Sequence, residues 1–122
     1  METEKPIIDK QRVEELQMVG EDAENLFIML AKMFVEEIQI RYEKIQEAVL
    51  AKNAKKITEC AHTSKGSASN LGFARLASVL EKLEHMGRNE EIDGAEELLP
   101  IVFNELQNVK TTFEKEYLLQ SH

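Results

Sequence analysis

The chain has 122 residues, of which 43% are hydrophobic, 31% charged and 6% aromatic, with five glycines and two prolines; this globular balance excludes disordered, fibrous and two-domain readings. A formal charge of −8 repels phosphates and anionic headgroups, so neither nucleic acid nor membrane is an expected partner. The single cysteine, Cys60, cannot close an internal disulfide, the first residues carry no leader-like character, and no apolar run reaches the roughly 18 residues of a membrane span, which together predict a cytoplasmic protein.

Apolar residues recur at spacings of three and four almost throughout, so the chain reads as all-α. A short first helix runs from about Lys10 to Val19, with Asp9 as N-cap, Val13, Leu16 and Val19 on one side, and Gly20 at its end. Asp22 caps a long second helix to about Lys52, whose inward stripe is Phe27, Leu30, Phe34, Ile38, Tyr42, Ile45 and Val49. The third helix, about Ala54 to Leu71, carries Ile57, Ala61, Ser64, Ala68 and Leu71 on a four-three-four-three seam. Gly72 marks a turn, and the stretch from Phe73 to Met86 buries Leu76, Val79 or Leu80, and Leu83 before Gly87 stops it. Arg88 to Gly94 is a loop. The last helix spans about Ala95 to Leu119 with Leu98, Leu99, Val102, Leu106, Val109, Phe113 and Tyr117 inward, and Pro100 is expected to bend it. Four main helices with short links predict an antiparallel up-down four-helix bundle with a short extra N-terminal helix, one domain over 1–122 with its core at about 22–119. Nothing marks an oligomer seam, so the reading is a monomer.

Charge is uneven. Residues 54 to 75 carry four basic side chains, Lys55, Lys56, Lys65 and Arg75, against one acidic, whereas both flanking segments are acidic. His62 lies in this one basic zone, where anion chemistry belongs. At about 100° per residue it points away from the seam and shares its face with Thr58, Glu59, Lys65, Gly66 and Ser69, exposed to solvent. Lys65, three residues on, can reach an anion attached to the imidazole. Gly66 costs about 1 kcal/mol relative to alanine in mid-helix, which the close approach of another protein to His62 would explain.

These residues match a family. Ala61-His62-Thr63-Ser64-Lys65-Gly66-Ser67-Ala68, then Asn70-Leu71-Gly72, then Leu76 and Leu83-Glu84, resemble the signature of the histidine phosphotransfer (HPt) domain, and the resemblance runs from Asp22 to Tyr117. It implies a stand-alone phosphorelay protein in which His62 accepts a phosphoryl group from a receiver-domain aspartate and passes it to another. The implied partners are the receiver domains of a hybrid sensor kinase and of a response regulator. Lys65 would neutralise phosphoryl oxygens, Gly66 would admit the receiver, and Ser69 would hydrogen-bond the phosphoryl group or orient the ring. The resemblance implies a phosphocarrier without kinase activity and without a cofactor of its own, the receiver supplying Mg²⁺. Ser64 departs from the family, which has a large apolar residue two after the histidine; on the buried seam its hydroxyl can bond the carbonyl of Cys60.

Two other functions are weighed. A non-phosphorylated adaptor that binds a receiver domain would have no use for both His62 and Lys65. A metal-binding bundle could use Glu59 and His62 at Glu-x-x-His spacing, but such sites need a second copy and inward glutamates, and His62 faces out. Cys60 reads as a packed thiol, and His85 and His122 as surface residues.

Overall fold

The computed structural model of the chain describes residues 5–18 and 23–118, without the side chains of 23–25. Val19, Gly20, Asp22, Leu119 and His122, which the sequence reading used, lie outside the described residues. The helices are α1 (Lys10–Gln17), α2 (Ala23–Glu36), α3 (Ile38–Leu50), α4 (Ala54–Leu71), α5 (Ala74–Arg88) and α6 (Ala95–Phe113), and α6 runs on into a π turn at Glu114–Leu118.

The expected bundle is present, its four walls being α2 with α3, then α4, α5 and α6. Asp9 caps α1 as read, its carboxylate accepting the N–H of Gln11 at 3.0 Å. The predicted long second helix is interrupted once, at Glu37, whose N–H is shared between the carbonyls of Met33 at 3.2 Å and Phe34 at 3.0 Å. Neither proline nor glycine stands there, so a pattern of spacings carries no sign of it. α3 packs on α4 and α6, α5 packs on α4 and α6, and α4 makes its most extensive contact with α5. Phe27, Phe73, Phe113, Ile45, Leu76, Leu80 and Leu106 fill the centre, fully buried, each contributing about 2–3 kcal/mol relative to exposure. α6 continues through the exposed Pro100.

The expected end of the fourth helix is also overturned. Gly87 does not stop the fourth helix, because α5 runs to Arg88 and Gly87 is buried inside it. A Cβ there would lie 2.5 Å from Thr58 Oγ1 and 2.9 Å from both the Ala54 carbonyl oxygen and the Thr58 nitrogen. The glycine therefore sets how closely α5 approaches α4.

Gly72 does close α4, at φ 82°, a left-handed conformation that favours glycine. The start of the chain is laid over this turn: the N–H of Asp9 donates to the Gly72 carbonyl at 2.7 Å, and Arg12 donates to the Asn70 carbonyl and side-chain oxygens, both at 2.9 Å. α1 thus flanks the end of α4 that follows His62.

Candidate functional site

Asn53 accepts the N–H of Lys56 at 3.1 Å and fixes the first turn of α4, and Gly72 ends it 18 residues later. Ile57, Ala61, Ser64, Ala68 and Leu71 are all buried along one seam. With that seam inward, His62 is carried outward, and its side chain is 65% exposed. Its Nδ1 edge is nevertheless engaged, 2.8 Å from Oε2 of Glu84 on α5. Glu84 is 1% exposed and sits on the inward face of α5 with Leu80, Leu83 and Gly87. Lys65 Nζ stands 2.6 Å from Oε1, a charge contact rather than an aligned hydrogen bond, and Arg88 Nη2 donates to Oε2 at 2.6 Å.

Burial alone would raise the Glu84 carboxyl, since water no longer solvates its charge. The Lys65 ammonium and the His62 ring N–H beside it, with the charge of Arg88, outweigh that and hold it below its ordinary value of 4.5. Glu84 is therefore ionised and can only accept. The proton between the two residues must belong to Nδ1 of His62, which leaves the lone pair of Nε2 directed at solvent. With a neutral ring the cluster holds two cations against one carboxylate, so it keeps a net positive charge beside an exposed nucleophilic nitrogen.

The lowered carboxyl has a consequence for stability. A carboxylate whose folded value lies below its unfolded one stabilises the fold above the unfolded value, and that contribution is lost as pH falls through the folded value. The stability gap between the protein and Glu84→Gln is thus expected to be widest above about pH 5 and to shrink as pH falls below 4.5. Urea denaturation of both proteins across that range checks it; a gap independent of pH would assign Glu84 no role as an ion.

The other predicted site residues fall around this cluster. Gly66 is exposed, and a Cβ built there meets nothing within 4 Å, so the fold itself does not require glycine. Ser69 is seven residues beyond His62, about 10 Å along the helix axis; it lines a depression with Arg12, Lys65 and Ser78 rather than touching the imidazole. Ser64 has a different partner from the one expected, its hydroxyl accepting from Arg41 Nη1 at 3.1 Å while the guanidinium lies 4.5 Å over the Phe34 ring. A small side chain on the seam thus makes room for an arginine from α3. A cleft of about 260 Å³ opens there, lined by Ile40, Arg41, Lys44, Glu59, Thr63 and Ser64. Burial pushes the Cys60 thiol up, with Lys44 opposing, which suits a packed thiol and not a nucleophile. Among the described residues no three His, Cys, Asp or Glu side chains are arranged to hold a metal ion.

Sequence reasoning gave no role to Glu84 or Arg88. The available signal was a carboxylate in phase with the apolar stripe of α5, one turn beyond Leu80, where burial demands a charged partner. Among the described residues, no helix is long and apolar enough to cross a membrane.

Comparison with known proteins agrees with this geometry. The model of the Hpt domain family matches residues 29–112. The chain is 26% identical over 87 residues to the phosphorelay intermediate protein YPD1 of Candida albicans, covering 71% of this chain and 47% of that protein. It is 27% identical over 96 residues to multistep phosphorelay regulator 1 of Schizosaccharomyces pombe, covering 78% and 32%. The chain therefore spans about half and about a third of the length of these curated relatives. The crystal structure of the histidine-containing phosphotransfer protein HptB of Pseudomonas aeruginosa superposes with a TM-score of 0.81 at 30% identity, covering 91% of this chain and 94% of that one. A buried-seam helix that turns one histidine outward onto a carboxylate of the next helix, within a matching sequence and a matching bundle, makes this chain a member of the Hpt domain family.

Proposed function

We propose that the chain is a phosphorelay intermediate that accepts a phosphoryl group on Nε2 of His62 from the aspartyl phosphate of one receiver domain and gives it to the aspartate of another. The observation that carries this reading is the pairing of Nδ1 with ionised, buried Glu84 while the rest of the ring stands in solvent. In the forward step the Nε2 lone pair attacks phosphorus in line, the P–O bond to the aspartate breaks, and the carboxylate leaves. The ring then carries positive charge, which Glu84 balances through the Nδ1 proton. Because Nδ1 keeps that proton, the leaving group of the return step is neutral imidazole, which makes the phosphoryl group easy to pass on.

Lys65 is placed to be shared between Glu84 and the arriving phosphoryl oxygens. The absence of a side chain at Gly66 leaves room beside the ring for a partner backbone. Apolar ground for docking lies near: Met29, Met33 and Ile40 are each about half exposed along α2 and α3, and Ile40 lines the cleft that reaches Thr63 next to His62. Family membership supports receiver domains as the partners. The chain needs no base, since the attacking nitrogen is already unprotonated, and Mg²⁺ enters with the receiver.

The test is intact-mass analysis at neutral pH after mixing the protein with Mg²⁺ and a panel of phosphorylated receiver domains. The expected result is a gain of one phosphoryl group, labile to acid, which maps to the peptide containing His62. The reading fails if no receiver transfers while the same receivers phosphorylate a known Hpt protein; a stable complex without transfer would then identify an adaptor.

A further inference from the structure

We propose that the groove between α5 and α6 is a docking site for a basic amphipathic helix of a partner protein, seated on the side of α5 away from His62. α4 and α6 stand diagonally in the bundle, each packed on α3 and on α5. α5 therefore turns one flank to α4, where Glu84 meets His62, and the other to α6. On that second flank a groove of about 840 Å³ opens. Its floor is apolar: Met86 and Leu98 are half-buried, and Ile101 is 43% exposed. The apolar ground that suits a receiver lies on α2 and α3, so these three side chains are left without a use. Apolar side chains exposed between two packed helices and ringed by charge make a seat for a third helix.

The rim decides what the occupant carries. Glu81 on α5, Asp93 in the loop before α6 and Glu97 on α6 all border the groove, and all are exposed. Against these carboxylates stand Lys82, which has a partner of its own, and His85. The loop between Arg88 and Gly94 adds Glu90 and Glu91 and no cation. Carboxylates at Asp93 and Glu97 suit the positive end of the α6 dipole; that reason does not extend to Glu81, on the other helix. A segment with lysine or arginine along both edges pairs with this ring, whereas an acidic or phosphorylated one is repelled. The length also fits. α6 advances about 9 Å from Ala95 to Ile101, so the groove takes about two turns of a third helix, with apolar anchors at i, i+4 and i+7. A partner held there leaves the face of His62 uncovered, so it and a second protein can occupy the bundle together.

The test uses the full chain and a short fluorescein-labelled helical peptide with leucines along one face and lysines on both flanks. Two controls accompany it, a scrambled peptide of the same composition and an acidic one with glutamate in place of each lysine. Saturable binding of the basic amphipathic peptide is expected, with both controls at least about tenfold weaker. Amide NMR signals should move at Met86, Leu98 and Ile101 and stay in place at Thr63, Lys65 and Gly66. Glu81→Lys combined with Asp93→Lys should weaken binding about tenfold, and Ile101→Ser should weaken it by a similar factor. Leu50→Ser, at an exposed apolar residue on α3, should change nothing. The substituted side chains are all exposed, and thermal unfolding checks that each variant keeps its fold. Equal binding of the scrambled peptide, or binding untouched by the groove variants, would mean attraction to the net charge alone and overturns the proposal; so does preference for the acidic peptide. Sedimentation of the protein by itself covers the remaining occupant: a dimer that Ile101→Ser splits would put a second copy in the groove, and the proposal would be wrong. No arm needs a receiver, so the outcome stands whether or not His62 accepts a phosphoryl group.

Discussion

Replacing His62 by glutamine is expected to abolish phosphoryl acceptance while leaving the bundle folded. The two effects separate because the side chain is mostly outside the core: it is 65% exposed and its interaction is with Glu84. The glutamine amide can still donate to the carboxylate, and Lys65 and Arg88 remain beside it, so the buried charge is not left alone. The stability cost is therefore within about 1 kcal/mol. A carboxamide nitrogen, by contrast, has no available lone pair, and with the nucleophile gone the transfer rate should drop by at least about a thousandfold. Intact mass after incubation with a phosphorylated receiver, paired with thermal unfolding, measures both quantities. Equal phosphate content in the variant would mean that another residue carries the group, and the assignment of His62 would be wrong.

The face that carries His62 was legible because α4 is the most regular part of the sequence. Its seam of Ile57, Ala61, Ser64, Ala68 and Leu71 is unbroken, its cap and its glycine stop are local signals, and the structure buries every member of it. Fixing which residues face in also fixes that His62, Lys65, Gly66 and Ser69 face out. What escaped was non-local. Glu84 lies 22 residues from His62 in an acidic stretch, so segment charge places it far from the basic zone it completes. The partner of Ser64 is Arg41, 23 residues away on α3, and no spacing within α4 points to it. The interruption at Glu37 has no proline or glycine to announce it. Gly87 was misread for a different reason: a glycine at the end of an apolar stripe most often closes a helix, and only the packing of α5 on α4 distinguishes a stop from a close approach.

That close approach carries the second large effect. Gly87→Ala is expected to destabilise the bundle by about 3 kcal/mol, well beyond the cost of an ordinary surface change and opposite in sign to what helix propensity predicts. The added methyl would lie 2.5 Å from Thr58 Oγ1 and 2.9 Å from two backbone atoms of α4. The hydroxyl cannot simply turn aside, since it donates to the Ala54 carbonyl at 2.9 Å, and the backbone atoms yield only if the helices part. Parting them here has a functional cost, because Glu84 and Arg88 bracket Gly87 on the same face of α5. Moving α5 outward draws the carboxylate away from His62 and Lys65, so phosphoryl acceptance should fall together with stability. Thr58→Ala in the same chain removes the nearest contact but neither backbone contact, and is expected to recover only part of the loss. Denaturant midpoints of the single and double variants measure this directly. Full recovery would show that the threonine hydroxyl alone sets the spacing; no loss in Gly87→Ala would show that α5 does not lie this close to α4.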